Sequence, residues 1–74
     1  MNPRLPTLHP TKILRALKKA GFREIRKSGS HVILVDKNKR MVVVPMHNKD
    51  VKRGLLFSII KSAELTQKEF LDLL

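Results

Sequence analysis

A stretch of six residues, Arg26-Lys27-Ser28-Gly29-Ser30-His31, combines cations, hydroxyl groups and an imidazole immediately before the apolar segment 32–35. An imidazole transfers protons well near neutral pH, because its charge changes between about pH 5 and pH 8. Cations, hydroxyl groups and the N–H groups of a turn all bind phosphate oxygens. The stretch therefore indicates phosphate chemistry, with His31 as the catalytic candidate. The substrate-binding candidates are Arg26, Lys27, Ser28, Gly29, Ser30 and His47.

RNA is the phosphate substrate that suits this chemistry, because its 2′-hydroxyl can attack the adjacent phosphorus. An enzyme assists by removing the hydroxyl proton, protonating the leaving 5′-oxygen and stabilising the negative charge. General acid–base assistance of this kind is worth roughly 10²–10⁴-fold in rate. His31 supplies one proton transfer, and His47, which follows the third predicted strand, is the candidate for the other. An exposed loop histidine without a role is an equally good interpretation of His47.

Other catalytic classes fit the sequence less well. Ser30 has no suitably placed acidic residue for a nucleophilic triad, so its hydroxyl is better interpreted as a turn or phosphate ligand. A metal-dependent nuclease needs clustered carboxylates, whereas Asp36 and Asp50 fall in separate predicted turns. We therefore predict catalysis without a metal or other cofactor.

The charge of the chain indicates a polyanionic partner. Sixteen Lys and Arg residues against six Asp and Glu residues give a formal net charge of +10. Residues 1–27 carry eight basic residues and one acid, whereas residues 55–74 carry two basic residues and three acids. This asymmetry favours a nucleic-acid surface over a uniformly solvated, lysine-rich surface. The apolar runs are too short to cross a bilayer, and we expect a cytoplasmic protein without membrane contact.

The hydrophobic pattern predicts one α+β domain over residues 1–74. Pro3 and Pro6 suggest a loose arm over residues 1–8, and Gly21 is placed to end the first helix. The predicted helices are 10–20, 51–63 and a short one opened by a capping box at Thr66, and the predicted strands are 22–27, 31–35 and 41–44. The apolar face of the second helix is predicted to comprise Leu55, Leu56, Ile59 and Ile60.

Both main helices are predicted to pack on one face of an antiparallel sheet, giving a two-layer sandwich of order α-β-β-β-α with a short C-terminal helix. This is the layout of double-stranded-RNA-binding domains, which recognise RNA by shape, phosphate and 2′-hydroxyl. The segments 32–35 and 41–44 are apolar throughout, a pattern typical of a sheet covered on both faces. We therefore predict that a partner, either a second copy or another protein, covers the face opposite the helices.

Several segments together resemble the HicA-type toxins, which are small mRNA interferases of bacterial and archaeal toxin–antitoxin pairs. The first three are Ala20-Gly21-Phe22, Lys27-Ser28-Gly29-Ser30-His31 and Val43-Val44-Pro45-Met46-His47. Similar to the family's second half are Lys52-Arg53-Gly54-Leu55-Leu56, Ile59-Ile60-Lys61 and Thr66-Gln67-Lys68-Glu69-Phe70. The resemblance spans about residues 5–74 and rests on the order and spacing of these segments.

The resemblance implies a domain of double-stranded-RNA-binding type whose histidine after the Gly-Ser turn, here His31, is required for RNA cleavage. It also implies a cognate HicB antitoxin that neutralises the toxin by covering its active surface. Many members carry a second histidine and an aromatic residue just after the active histidine, where this chain has Val32 and Leu34. This departure removes polar and stacking groups beside the predicted site.

Three functions remain open at this point. The first is a ribonuclease toxin that acts through His31 and is silenced by an antitoxin. The second is a non-catalytic RNA-binding module that uses the same basic surface, and the third is a small adaptor whose apolar sheet pairs with a partner. Removal of His31 distinguishes the first function from the second, because a ribonuclease that acts through His31 would lose cleavage and keep its RNA affinity.

Overall fold

Helices and strands follow one another in the order that the hydrophobic pattern predicts. A computed structural model describes residues 5–74. The elements are α1 (Pro10–Lys19), β1 (Arg23–Ser28), β2 (His31–Val35), β3 (Met41–Pro45), α2 (Arg53–Ser62) and α3 (Gln67–Asp72). The strands form an antiparallel sheet in the order β1-β2-β3. The predicted α+β fold of double-stranded-RNA-binding type is confirmed. No helix within residues 5–74 is long and apolar enough to cross a membrane.

Local capping fixes both ends of α1. His9 is the N-cap residue, and its Nδ1 accepts a hydrogen bond of 3.3 Å from the backbone N–H of Thr11. At the other end the Phe22 N–H donates to the Leu17 carbonyl, the longer-range bond of a Schellman motif. Gly21 has a φ of +102°, which favours glycine, so the predicted stop is confirmed. His9 therefore has a structural role at the start of α1.

The core lies between the helices and one face of the sheet. Its fully buried side chains include Ile13, Leu17, Val32, Leu34, Val42, Val44, Leu56 and Phe70. Leu5 and Leu8 also belong to the core, and Leu8 and Val51 exchange two backbone hydrogen bonds of 3.3 and 2.7 Å. The prediction of a loose arm is wrong for residues 5–8, because both leucines bury apolar surface there. The rest of that predicted arm lies outside the described residues.

The second helix is shorter than predicted, and it buries a narrower face. Its buried residues are Leu56, Ile59 and Ile60. Leu55 is 45% exposed, although the periodicity assigned it to the core. Successive residues of an α-helix are about 100° apart, so Leu55 falls at the edge of the buried stripe. This exposed leucine lies beside the edge of β3 that is not paired with β2.

A capping box opens α3 as the sequence predicts. The Thr66 Oγ1 accepts a hydrogen bond of 3.0 Å from the Glu69 N–H, and the Glu69 Oε1 accepts one of 2.8 Å from the Thr66 N–H. These reciprocal bonds satisfy two backbone donors that would otherwise lack partners at a helix start. They position Phe70, which is 0% exposed and belongs to the buried core.

The sheet has one covered face and one open face. The side chains that point into the core from β2 and β3 are Val32, Leu34, Val42 and Val44. The alternate residues point away, and Met41 and Val43 remain 57% and 44% exposed. We refer to the uncovered side as the open face; its residues are Arg23, Arg26, Ser28, His31, Ile33, Val35, Met41, Val43 and Pro45. Cover of the open face by a partner remains a prediction.

Candidate active site

A two-residue turn delivers His31 to the start of β2. Ser28, the last residue of β1, pairs with His31 across the sheet, and Gly29 and Ser30 connect the two strands. Gly29 has a φ of +57° and Ser30 does not have a positive φ, as in a type II′ turn, which favours glycine at its first central position. The imidazole therefore stands on a paired strand end, and it is exposed to solvent together with the whole turn.

The conformation of Gly29 makes its substitution informative. No atom lies within 4 Å of a Cβ added at this position, so the cost of a side chain comes from the backbone alone. For Gly29→Val we expect a loss of stability on the order of 1–2 kcal/mol, because a β-branched residue disfavours positive φ. Thermal unfolding followed by circular dichroism measures this loss. Gly29→Asn is the control, since asparagine tolerates this region, and an equal loss in both variants would contradict the assignment of the turn.

A β-bulge in β1 places two arginines on the open face. Arg23 pairs with Val35, but Arg26 pairs with Ile33, so β1 contains one additional residue between these pairs. Val35 and Ile33 lie on the same side of β2, and Arg23 and Arg26 therefore share that side despite their spacing of three. The side chains of β1 therefore do not alternate strictly between the two sides of the sheet.

Arg26 is the cation that the sheet brings beside His31. The Ser28–His31 pair is the next pair along the open face from the Arg26–Ile33 pair. Neighbouring same-face positions on a strand are about 7 Å apart, a distance that an arginine side chain spans. Arg23 lies one pair further away. Sequence reasoning did not select Arg23, because its orientation depends on the bulge.

Lys27 lies on the opposite side of the sheet from His31. It pairs with Val32, whose side chain points into the core. Glu24 shares this side, and its carboxylate contacts the Lys18 Nζ on α1 at 2.7 Å. The hydrogen bond and the charge of Lys18 lower the pKa of Glu24, and the charge of Lys27 acts in the same direction. Lys27 is thus grouped with Glu24 and α1 rather than with the imidazole.

The end of β3 brings His47 to the same end of the sheet as His31. The Met46 N–H donates a hydrogen bond to the Ser30 carbonyl, which extends the pairing of the two strands by one position. His47 follows directly and is exposed. Its Nδ1 accepts a hydrogen bond of 3.3 Å from the Lys49 N–H, a contact that leaves its Nε2 unused.

The polar groups of the candidate site are unengaged within the described part of the chain. Among residues 5–74, the side-chain hydrogen bonds involve neither the His31 imidazole nor the hydroxyls of Ser28 and Ser30. Over the same residues, the cations that form ion pairs are Lys18, Arg40 and Lys68. Arg26 therefore presents its guanidinium to solvent beside an available imidazole, which suits the binding of a phosphodiester.

Val32 and Leu34, where this chain departs from the HicA resemblance, do not line this site. Val32 and Leu34 are 1% and 0% exposed, and both side chains face the helices. They lie on the covered side of β2, while His31 lies on the open face. Their apolar character is therefore explained by packing, because a polar side chain at either position would be buried in the core.

The carboxylates that sequence analysis considered as metal ligands lie in separate turns. The Asp36 Oδ1 accepts hydrogen bonds from the N–H groups of Asn38 and Arg40 at 3.0 and 2.8 Å, so this carboxylate holds the β2–β3 turn. Asp50 lies in the loop before α2. Within the described range, residues 5–74, no three His, Cys, Asp or Glu side chains form a group suited to a metal ion.

These features define a class of protein: a small basic α+β domain with an exposed histidine on its first hairpin and arginines on the same sheet face. The family model described as HicA toxin of bacterial toxin-antitoxin matches residues 10–65 of the 74-residue chain. The match covers more than half of the chain, so the chain belongs to the HicA toxin family. A comparison with curated proteins finds no match. The family implies a cognate antitoxin and an RNA substrate in general terms.

Proposed function

We propose that this toxin is an endoribonuclease that cleaves mRNA without a metal ion and uses His31 as a general base or acid. The observation that carries the proposal is the setting of His31. Its imidazole is exposed at a paired strand end, is unengaged within residues 5–74, and shares a sheet face with Arg26. Membership of the HicA family supports the same activity.

In the proposed reaction the 2′-oxygen of a ribose attacks the adjacent phosphorus, and the bond from phosphorus to the 5′-oxygen breaks. The neutral imidazole of His31 accepts the proton of the 2′-hydroxyl. His47 is the candidate that protonates the leaving 5′-oxygen, since it lies at the same end of the sheet. Arg26 and the N–H groups of the Gly29–Ser30 turn stabilise the charge on the phosphoryl oxygens. The products carry a 2′,3′-cyclic phosphate and a 5′-hydroxyl.

Incubation of the purified protein with RNA in EDTA tests this function. We expect cleavage that leaves cyclic phosphate ends, and no cleavage of a matched strand that carries a 2′-deoxy sugar at the cleaved position. The matched strand removes the nucleophile and leaves every phosphate in place. RNA binding without cleavage would instead identify a non-catalytic RNA-binding module. Cleavage of the deoxy-substituted strand at the same position would contradict the proposed nucleophile.

A cognate HicB antitoxin is the partner that we propose for the open face. Met41 and Val43 expose apolar surface there, and Arg23 and Arg26 border it on the β1 side. A partner with apolar residues surrounded by carboxylates complements such a surface. Its cover would place protein over His31 and exclude RNA. We expect this regulation to operate in the cytoplasm, where the mRNA substrate is found.

Arg26 and Lys27 provide a matched pair of substitutions, because each removes one positive charge from adjacent positions on opposite sides of β1. For Arg26→Gln we expect at least about tenfold slower cleavage, the scale of one lost charged hydrogen bond. For Lys27→Gln we expect weaker RNA binding, with a salt slope lower by about 0.7, and a nearly unchanged cleavage rate of bound RNA. Single-turnover cleavage and fluorescence anisotropy at several salt concentrations separate these effects. Equal slowing of cleavage by both substitutions would contradict the assignment of sides.

A further inference from the structure

The two edges of the sheet differ in how well they are protected against pairing with another strand. The β1 edge carries four charged residues, Arg23, Glu24, Arg26 and Lys27, and is interrupted by the bulge. Charges and bulges are the features with which natural proteins protect a sheet edge. The β3 edge, Met41–Pro45, has neither feature, and its proline is the last residue. Among residues 5–74 no strand pairs with the outer side of β3.

The pairing of β3 with β2 determines which backbone groups point outward. The Asp36 N–H donates to the Arg40 carbonyl, and the Met46 N–H donates to the Ser30 carbonyl. Both bonds fit the register of the two strands, in which hydrogen-bonded positions alternate. The even-numbered residues of β3 therefore bond to β2. The backbone N–H groups of Met41 and Val43 point to the free edge.

An apolar groove of about 300 Å³ runs along this edge. Its lining residues are Met41, Val43, Leu55, Ser58, Ile59 and Ser62. Leu55, which is 45% exposed, also borders a second depression that contains Lys49, Asp50 and Lys52. The groove therefore leads from apolar side chains of β3 and α2 to a cluster in which cations outnumber the carboxylate.

We propose that the free edge of β3 pairs with an extended segment of an acidic protein partner, which adds a fourth strand to the sheet. This inference rests on the proposed function, in which the partner is the antitoxin. The outward N–H groups require backbone carbonyls, and the groove itself is lined by no cation that would bind a phosphate. A second copy is disfavoured, because each copy has a net charge of +10. Carboxylates of the partner would instead reach Lys49 and Lys52.

Strand pairing at this edge would explain how an antitoxin is held next to the catalytic residue. Val43 is opposite Ile33, and the next pair on the same face joins Pro45 to His31. A segment paired with β3 would therefore be the second strand from β2, which carries His31. The protein attached to this segment is directed over the open face. Main-chain bonds would provide affinity, and cover of the imidazole would provide inhibition.

Amide hydrogen exchange, measured by NMR on the free toxin and on its co-purified complex with the cognate antitoxin, tests the proposal. We expect the N–H groups of Met41 and Val43 to exchange at least about tenfold more slowly in the complex, because they gain carbonyl partners. The N–H groups of Val42 and Val44 already bond to β2 and serve as the internal reference. A complex in which Met41 and Val43 exchange as fast as in the free toxin would overturn the proposal while leaving the antitoxin partnership intact.

Two substitutions at Val43 test the same edge by affinity. Val43→Pro removes an N–H that β2 does not use, and Val43→Thr keeps the N–H while changing the side chain at nearly equal volume. We expect Val43→Pro to weaken antitoxin binding by about tenfold or more and Val43→Thr to weaken it by less than about threefold. Circular dichroism shows whether each variant is folded. If Val43→Pro does not fold, the hydrogen-exchange measurement on the unsubstituted toxin still tests the proposal. Equal weakening by both variants would contradict main-chain pairing.

The oligomeric state of the free toxin shows whether a second copy of the chain, rather than the antitoxin, occupies the β3 edge. We expect a monomer by sedimentation, with exposed Met41 and Val43 amides. A dimer whose formation protects these two amides would assign the edge to a second copy and overturn the proposal. Failure of the antitoxin to bind at all would overturn both this inference and the proposed partner, whereas cleavage of RNA by the free toxin would still support the proposed activity.

Discussion

Replacement of His31 by alanine is expected to slow RNA cleavage by at least about 10²-fold, the lower end of what general acid–base catalysis contributes. The RNA affinity should stay within about twofold, because the cations that bind phosphate remain. The reason lies in the position of the imidazole, which no other group within residues 5–74 engages and which shares the open face with Arg26. Single-turnover cleavage in EDTA and fluorescence anisotropy provide the two measurements.

His9 provides the control for this prediction, and His47 tests the second proton transfer. His9→Ala removes the N-cap of α1 and should lower stability by about 1 kcal/mol without changing cleavage by the folded protein. His47→Ala is expected to slow cleavage, because its imidazole is the proposed proton donor to the leaving oxygen. If His31→Ala cleaved RNA as fast as the wild-type protein, the assignment of His31 as the catalytic residue would be contradicted.

Local sequence signals predicted the elements that carry the site. The Gly-Ser turn before an apolar segment gave the first hairpin, and β2 begins and ends at the predicted residues, His31 and Val35. Gly21 ends α1 and Thr66 opens α3 as their capping chemistry indicates. These features depend on backbone preferences within a few residues, so a single sequence is sufficient to reveal them.

Such local signals did not predict which side of the sheet each cation faces. Arg26 and Lys27 are neighbours in the sequence, but the side that each faces depends on the bulge, which the pairing partners in β2 determine. The position of Leu8 likewise depends on a contact with Val51, more than forty positions away in the sequence. A register or a long-range contact is a property of two segments together, and the pattern of one segment does not specify it.

Phe70→Ala is expected to destabilise the domain by about 3–5 kcal/mol, the usual cost of truncating a buried aromatic side chain. Phe70 is 0% exposed, and it lies beyond residues 10–65, the part of the chain that matches the HicA family model. A 74-residue domain has about 4–11 kcal/mol of stability in total. The substitution would therefore remove a large share of the total stability, although α3 contains no residue of the candidate site. Denaturant unfolding followed by circular dichroism measures the loss.

Phe57→Ala is the matched control, because it removes the same atoms from a side chain that is 46% exposed on α2. We expect a loss of less than about 1 kcal/mol there, as is usual for a partly solvated position. Similar losses in the two variants would show that α3 does not pack as described. A large loss at Phe70 alone would establish that residues outside the matched segment stabilise the fold, and the strand end that presents His31 is part of that fold.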